Sequence, residues 1–263
     1  MSLNAPFRDA RYAPRQLEIT DRGGGEVLLD NPTPFDQRFQ IMTAALAHHA
    51  QAAAPRVWLA ERSGDGWRKL SYGEGYEAVC AIAGGLRDLA IAWTGPLLIL
   101  ARNGIDHALF QYAAMGQGIA VAPVSPQYGL PGAHLARLEQ AVQTLLPSAV
   151  YTEDAALFST ALEAPCLAGL PVVAGKNARP GDITLSSLLQ ARGIAPVAQP
   201  HETARYLLTS GSTGHPKAVI CTHRATALNA AQVTACFDDP EPPVMVNSSP
   251  WSHSLGRKSP IRC

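Results

Sequence analysis

The 263-residue chain predicts an α/β fold built on a mainly parallel sheet. Between about residues 96 and 151, short apolar runs alternate with segments of helical period, the pattern of strands joined by crossover helices. Hydrophobic residues make up 47% of the chain and charged residues only 16%, so it can bury a core rather than stay disordered. Turn-forming Gly, Pro, Asn and Asp residues punctuate the boundaries between the runs.

Residues 1–40 include DRGGGEVLLDNPTPFDQRF, rich in Pro, Gly, Asp and Arg, and read as an extended N-terminal arm with turns. From Arg38 to Ala53 apolar residues recur at helical spacing, and Pro55 closes that helix. Val57–Glu61 and Trp67–Leu70 read as two strands joined by Ser63-Gly64-Asp65-Gly66, a hairpin turn. Ser71 followed by Glu74 is a capping box, opening a helix to about Leu89. Pro96–Leu100 is a buried strand, Ile105–Gln117 a helix, and Ala120–Val124 a strand stopped by Ser125-Pro126. A helix over about Leu135–Leu145 and a strand at Ala149–Tyr151 follow. Ala164–Gly175 holds another short strand, Leu185–Gln190 a short helix, and IAPVAQPHET a connector. A helix over about Thr226–Cys236 and a strand at Val244–Val246 complete the pattern.

Composition excludes several functions. Lys plus Arg and Asp plus Glu both number 21, and no basic run appears, so the chain lacks the clustered cations that nucleic acid binding requires. The N-terminal MSLNAPFRDARYAPRQ has arginines but no apolar core, unlike a secretory signal, and every apolar window is too short to span a bilayer. The five cysteines (Cys80, Cys166, Cys221, Cys236 and Cys263) are scattered with no CxxC pair. They read as reduced thiols of a cytoplasmic protein, and no metal site is expected.

The stretch from Tyr206 to Val219, YLLTSGSTGHPKAV, carries the chemistry. Small residues let backbone N–H groups approach an anion, and Gly211 and Gly214 permit the backbone angles such a cradle needs. Thr209, Ser210, Ser212 and Thr213 add hydroxyl donors, and Lys217 adds a point charge suited to phosphate. Gly211 and Lys217 have the outer spacing of a Walker A loop. However, Pro216 stands in place of the second glycine, Ala218 in place of the magnesium-binding hydroxyl, and AVICTH reads as a strand rather than a helix. These departures disfavour a P-loop NTPase.

The nine contiguous positions Thr209–Lys217, T-S-G-S-T-G-x-P-K between two strands, resemble the signature of the adenylate-forming superfamily. That group includes acyl-CoA synthetases, luciferases and peptide-synthetase adenylation domains. Thr222-His223-Arg224 with Asn229, and Pro250-Trp251-Ser252-His253-Ser254-Leu255-Gly256, are similar to motifs that follow the loop there. NPTPFDQR, AERSGDGWRKLSY, NGIDHALF and VAPVSPQY resemble most closely its feruloyl-CoA synthetase branch.

The resemblance implies a fold and a domain plan. Residues 41–256 would form the first part of an AMP-binding large domain of layered αβαβα architecture with mainly parallel sheets, left incomplete. Residues 257–263, RKSPIRC, depart from the motif's usual continuation as a shifted frame or truncated gene would, and the small C-terminal domain is expected to be absent. Strand edges and apolar helix faces are then expected to lie uncovered.

It also implies a reaction. ATP and a feruloyl- or cinnamate-type carboxylate give an acyl-adenylate and pyrophosphate, and CoA displaces AMP, in phenylpropanoid catabolism. Thr209, Ser210, Gly211, Ser212, Thr213, Gly214 and Lys217 would bind the ATP phosphates; Trp251, His253 and Gly256 would line the acyl and CoA channel. Mg2+ accompanies ATP in that superfamily. No catalytic set is complete in this chain, which is expected to be inactive alone. Open beside this are a non-catalytic nucleotide-binding or interaction module, and a ligase for fatty or other acids. The histidines outside these motifs, His48, His49, His107 and His134 among them, read as surface or helix-packing residues.

Overall fold

A computed structural model describes residues 11–14, 16–209, 216–238 and 244–252. The first strands among the described residues form a hairpin, β1 (Glu18–Gly23) and β2 (Glu26–Asp30), every residue of which is exposed. The arm is therefore folded into a ladder, turned by Gly24 and Gly25 at positive φ, 65° and 86°. Helix α1 (Met42–Ala52) starts four residues after Arg38, where its periodicity begins. A second hairpin follows, β3 (Val57–Ser63) and β4 (Gly66–Ser71), with Gly64 at the turn.

The sequence then runs α2 (Tyr72–Asp88), β5 (Leu97–Leu100), α3 (Ile105–Gly116), β6 (Val121–Pro123), α4 (Ala136–Leu145), β7 (Ala149–Thr152) and α5 (Ser159–Leu162). After these come β8 (Val172–Ala174), β9 (Ile183–Thr184), α6 (Leu185–Leu188), β10 (Thr203–Thr209), β11 (Lys217–Thr222) and α7 (His223–Ala235). Ser71 caps α2 as its spacing predicts: Oγ accepts from Glu74 N–H at 3.3 Å, and a Glu74 carboxylate oxygen accepts from Ser71 N–H at 2.9 Å. Thr222 likewise caps α7, accepting from Ala225 N–H at 3.1 Å, so that helix starts three residues earlier than its apolar pattern suggests.

Seven strands form the central sheet in the order β11-β10-β6-β5-β7-β8-β9, parallel throughout except for the antiparallel β10–β11 edge pair. The predicted α/β class with a mainly parallel sheet is what the chain adopts. Strand β5 (LLIL) is buried along its whole length. Leu97 and Ile99 face a cluster with Met42, Leu46, Ile82, Leu86 and Phe110, while Leu98 and Leu100 face Leu138, Leu145 and Phe158. Helices thus cover both faces, which is why the central strands read as continuous apolar runs. Each fully buried leucine contributes about 1.5–3 kcal/mol.

One predicted strand does not form. Val244–Val246 runs as irregular chain, with Val244 and Val246 each 95% exposed. Its β-branched composition favours a strand, but among the described residues it has no neighbour to pair with. Edge strand β11 also leaves Val219 and Ile220 exposed.

Candidate active site

Every parallel strand of the sheet ends on the same edge, so Leu100, Pro123, Thr152, Ala174 and Thr209 mark one rim. From β5 the chain moves to β6 on one side and then to β7 on the other. Such a reversal opens a crevice beyond the carboxyl ends of the strands, the usual ligand position in open α/β sheets.

Two groups of sequence-predicted residues reach this rim. Thr209 ends β10 and Lys217 begins β11, and the two are paired across the ladder, with Thr209 Oγ1 donating to the Lys217 carbonyl at 3.4 Å. Ladder pairs from Thr203–Thr222 to Thr209–Lys217 fix the two stems from which the loop leaves. Lys217 is exposed. Ser210, Gly211, Ser212, Thr213 and Gly214 lie outside the described residues.

The second group is built on the turn after β5. Asn103 Nδ2 donates to the Ser249 carbonyl at 2.8 Å, and Asn103 Oδ1 accepts from Trp251 N–H at 2.9 Å. Trp251 is buried, and its indole meets the His107 ring in a T-shaped contact with centroids 4.9 Å apart. His253, Gly256 and the tail 257–263 lie outside the described residues.

His107 is a core histidine of α3 rather than a surface one. Its Nδ1 donates to the Arg102 carbonyl at 3.0 Å, which fixes the tautomer and leaves Nε2 as an acceptor. Burial pushes the imidazole down to about 4, opposed by that backbone hydrogen bond, so the ring is neutral at pH 7. His107 Nε2, Trp251 Nε1 and Ser252 Oγ are buried and without a protein partner among the described residues.

The mouth of α3 is held from a third direction. Gly104 supplies no side-chain cap, and Glu61 of β3 takes its place, accepting from Ile105 N–H at 2.8 Å. Arg68 of β4 bridges Glu61 at 3.1 Å and Asp106 at 2.6 Å, tying the hairpin to the helix start. On the other flank, Arg102 Nε and Glu153 pair across the ends of β5 and β7 at 2.5 Å. Reasoning from sequence missed Asn103 and His107, whose partners lie far along the chain. The one available signal was Asn103-Gly104 directly after a buried strand, a turn that places a polar side chain at a strand end.

No metal site is visible in the donor chemistry: among the described residues no group of three or more His, Cys, Asp or Glu side chains could hold an ion. Nor, among them, is any helix long and apolar enough to cross a membrane.

A family model described as AMP-binding enzyme matches residues 44–261. The chain belongs to that family. A Mycobacterium tuberculosis protein provisionally named a ligase is 30% identical over 195 residues, 71% of this chain and 33% of its own length. A 4-hydroxyphenylalkanoate adenylyltransferase of Mycobacterium marinum is 25% identical over 167 residues, 60% of this chain and 25% of its own. The chain therefore spans a third or less of these curated relatives.

Solved structures agree on the fold. A luciferase-like enzyme from the mealworm Zophobas morio superposes with a TM-score of 0.72 at 16% identity, covering 88% of this chain and 53% of that one. A fatty acyl-adenylate ligase from L. pneumophila, solved with acyl adenylate and pyrophosphate, gives 0.70 at 17% identity, covering 87% and 40%. The α/β architecture is that of an adenylate-forming enzyme's N-terminal region, and the family uses ATP and a carboxylate.

Proposed function

We propose that the chain is the ATP- and acid-binding part of an AMP-forming acyl-activating ligase, acting in the cytoplasm on a cinnamate-type acid with CoA as acceptor. The carrying observation is that Thr209 and Lys217, the first and last residues of the phosphate-loop signature, sit at the same sheet rim as Trp251. The aromatic acid is supported by the resemblance of NPTPFDQR and NGIDHALF to the feruloyl-CoA synthetase branch, and by the 4-hydroxyphenylalkanoate named for a relative. A fatty acid is the second reading, favoured by the fold shared with the fatty acyl-adenylate ligase.

In the reaction a carboxylate oxygen bonds to the α-phosphorus of ATP while the bond to the β-phosphate oxygen breaks. Pyrophosphate leaves with the electron pair. CoA thiolate then attacks the acyl carbon, and AMP departs. Lys217 and the hydroxyls of Thr209, Ser210, Ser212 and Thr213 stabilise the charge that gathers on pyrophosphate, an effect that depends on fixed position. Gly211 and Gly214 give that anion access to backbone N–H groups. Trp251, His253 and Gly256 line the side where acid and thiol meet. Residues 41–256 act as the partial large domain and 1–40 as an appended arm.

Equilibrium binding of ATP to the wild-type chain and to Lys217→Ala tests the loop. Removing a cation that contacts phosphate should weaken ATP about tenfold or more, since charged hydrogen bonds contribute about 1.5–3 kcal/mol. Equal affinities would overturn the reading. Competition between ferulate and dodecanoate for the ATP-loaded chain separates the aromatic from the fatty acid.

A further inference from the structure

Asn103 joins the end of β5 to a segment 146 and 148 residues further along the chain. Its carboxamide carries a donor and an acceptor on one carbon, and uses both on the backbone of that segment. Asn247 shapes the turn from inside, its Oδ1 accepting from Ser249 N–H at 2.9 Å. Four residues after Asn103, His107 presents its ring to Trp251. Just upstream, Val244 and Val246 stand 95% exposed and unpaired in any strand, so burial does not hold this segment before residue 249. The Asn103 pair of bonds and the packing of the Trp251 indole tie it to the end of β5.

We propose that Asn103 and His107 are positioning residues for the acyl side of the site. They fix the backbone from Ser249 to Ser252, and with it the Trp251 indole, at the sheet rim, so acid binding depends on them and nucleotide binding does not. The proposal rests on the ligase reading given above. Its selectivity follows from topology. The phosphate loop leaves β10, which is separated from β5 by β6, two strand spacings or about 10 Å away. The neutral state of His107 serves the same purpose, since a neutral ring packs against the indole without a buried charge needing a counterion.

The test compares ATP affinity with acid affinity in Asn103→Ala and Asn103→Asp. The first loses both hydrogen bonds. The second keeps an acceptor for Trp251 N–H, loses the donor to Ser249, and places a carboxylate near a helix N-terminus, which favours folding. ATP is measured alone, and ferulate and dodecanoate are each measured in the presence of a non-hydrolysable ATP analogue. The expected result is a loss of acid affinity of about tenfold for Asn103→Ala, smaller for Asn103→Asp, with ATP affinity within about twofold of wild type. Parallel losses of ATP and acid affinity, or no loss of either, overturn the inference alone. A wild-type chain that binds ATP but neither acid overturns the acyl assignment. One that binds no ATP overturns the ligase reading and takes this inference with it.

Discussion

His107 should make the fold sensitive to mild acid. The perturbation is pH, and the sign follows from the direction of its shift. Burial holds the folded imidazole at about 4, whereas a free histidine titrates near 6.5. Above 6.5 both folded and unfolded chains carry the neutral ring, and the stability is fully present. As pH falls below that value the unfolded chain takes up a proton that the folded chain refuses, so stability drops until about 4. At pH 5 the unfolded ring is almost wholly protonated and the folded ring mostly neutral, a penalty of about 2 kcal/mol. The pKa values of His49 and His223 are also lowered by burial and add in the same direction, so the histidine must be isolated by substitution. Urea unfolding of wild type and His107→Gln at pH 7.5 and pH 5 does this. The drop in stability between the two pH values should be larger in wild type by about 2 kcal/mol. Equal drops would show that the ring is not held neutral in the fold, and would refute the reasoning.

Two further substitutions probe packing around the central sheet. Phe110 is fully buried and stacks on Tyr151 with ring centroids 4.4 Å apart, so Phe110→Ala should cost about 3–5 kcal/mol in denaturant unfolding; a loss below about 1 kcal/mol would contradict that packing. A Cβ on Gly95 would collide with the Leu146 carbonyl, a backbone atom that cannot swing aside, so Gly95→Ala should destabilise by about 1–3 kcal/mol or more, and an unchanged melting temperature would argue against the approach.

The central layer was legible because its determinants are local. The apolar runs at Leu97–Leu100 and Ala149–Thr152, the Ser71–Glu74 cap and the Ser63–Gly66 turn each specify their element within a few residues. The proposed phosphate loop rests on local sequence as well, since nine contiguous positions carry its signature, but residues 210–215 lie outside the described residues. What depended on distant partners was not. Nothing near Thr203–Thr209 says that this strand returns to lie beside β6, a choice made by long-range pairing. The Gly-rich DRGGGE stretch reads as an extended arm with turns but not as a paired ladder, because its glycines suit a turn as well as a linker and the ladder around it has no buried face to produce an alternating pattern. Val244–Val246 misled in the opposite sense: strand propensity describes fit to a pleated surface, and this segment meets none among the described residues.

Asn103 shows where the two kinds of information meet. Its position after a buried strand was readable, yet its role depends on Ser249 and Trp251, which no local pattern connects to it. The two sides of the candidate site are consequently held by different physics. The proposed phosphate side hangs from a hairpin whose ladder bonds extend to Thr209 and Lys217, where neighbouring pairs reinforce one another. The proposed acyl side is tied to β5 by two side-chain hydrogen bonds and one aromatic contact, reached through the turn that Glu61 and Arg68 brace at the start of α3. A ladder tolerates the loss of one bond, but a two-bond clamp does not. The proposed acyl side is therefore where a single substitution should most readily weaken acid binding, while the proposed nucleotide grip on the β10–β11 pair, two strand spacings away, should stay as it was.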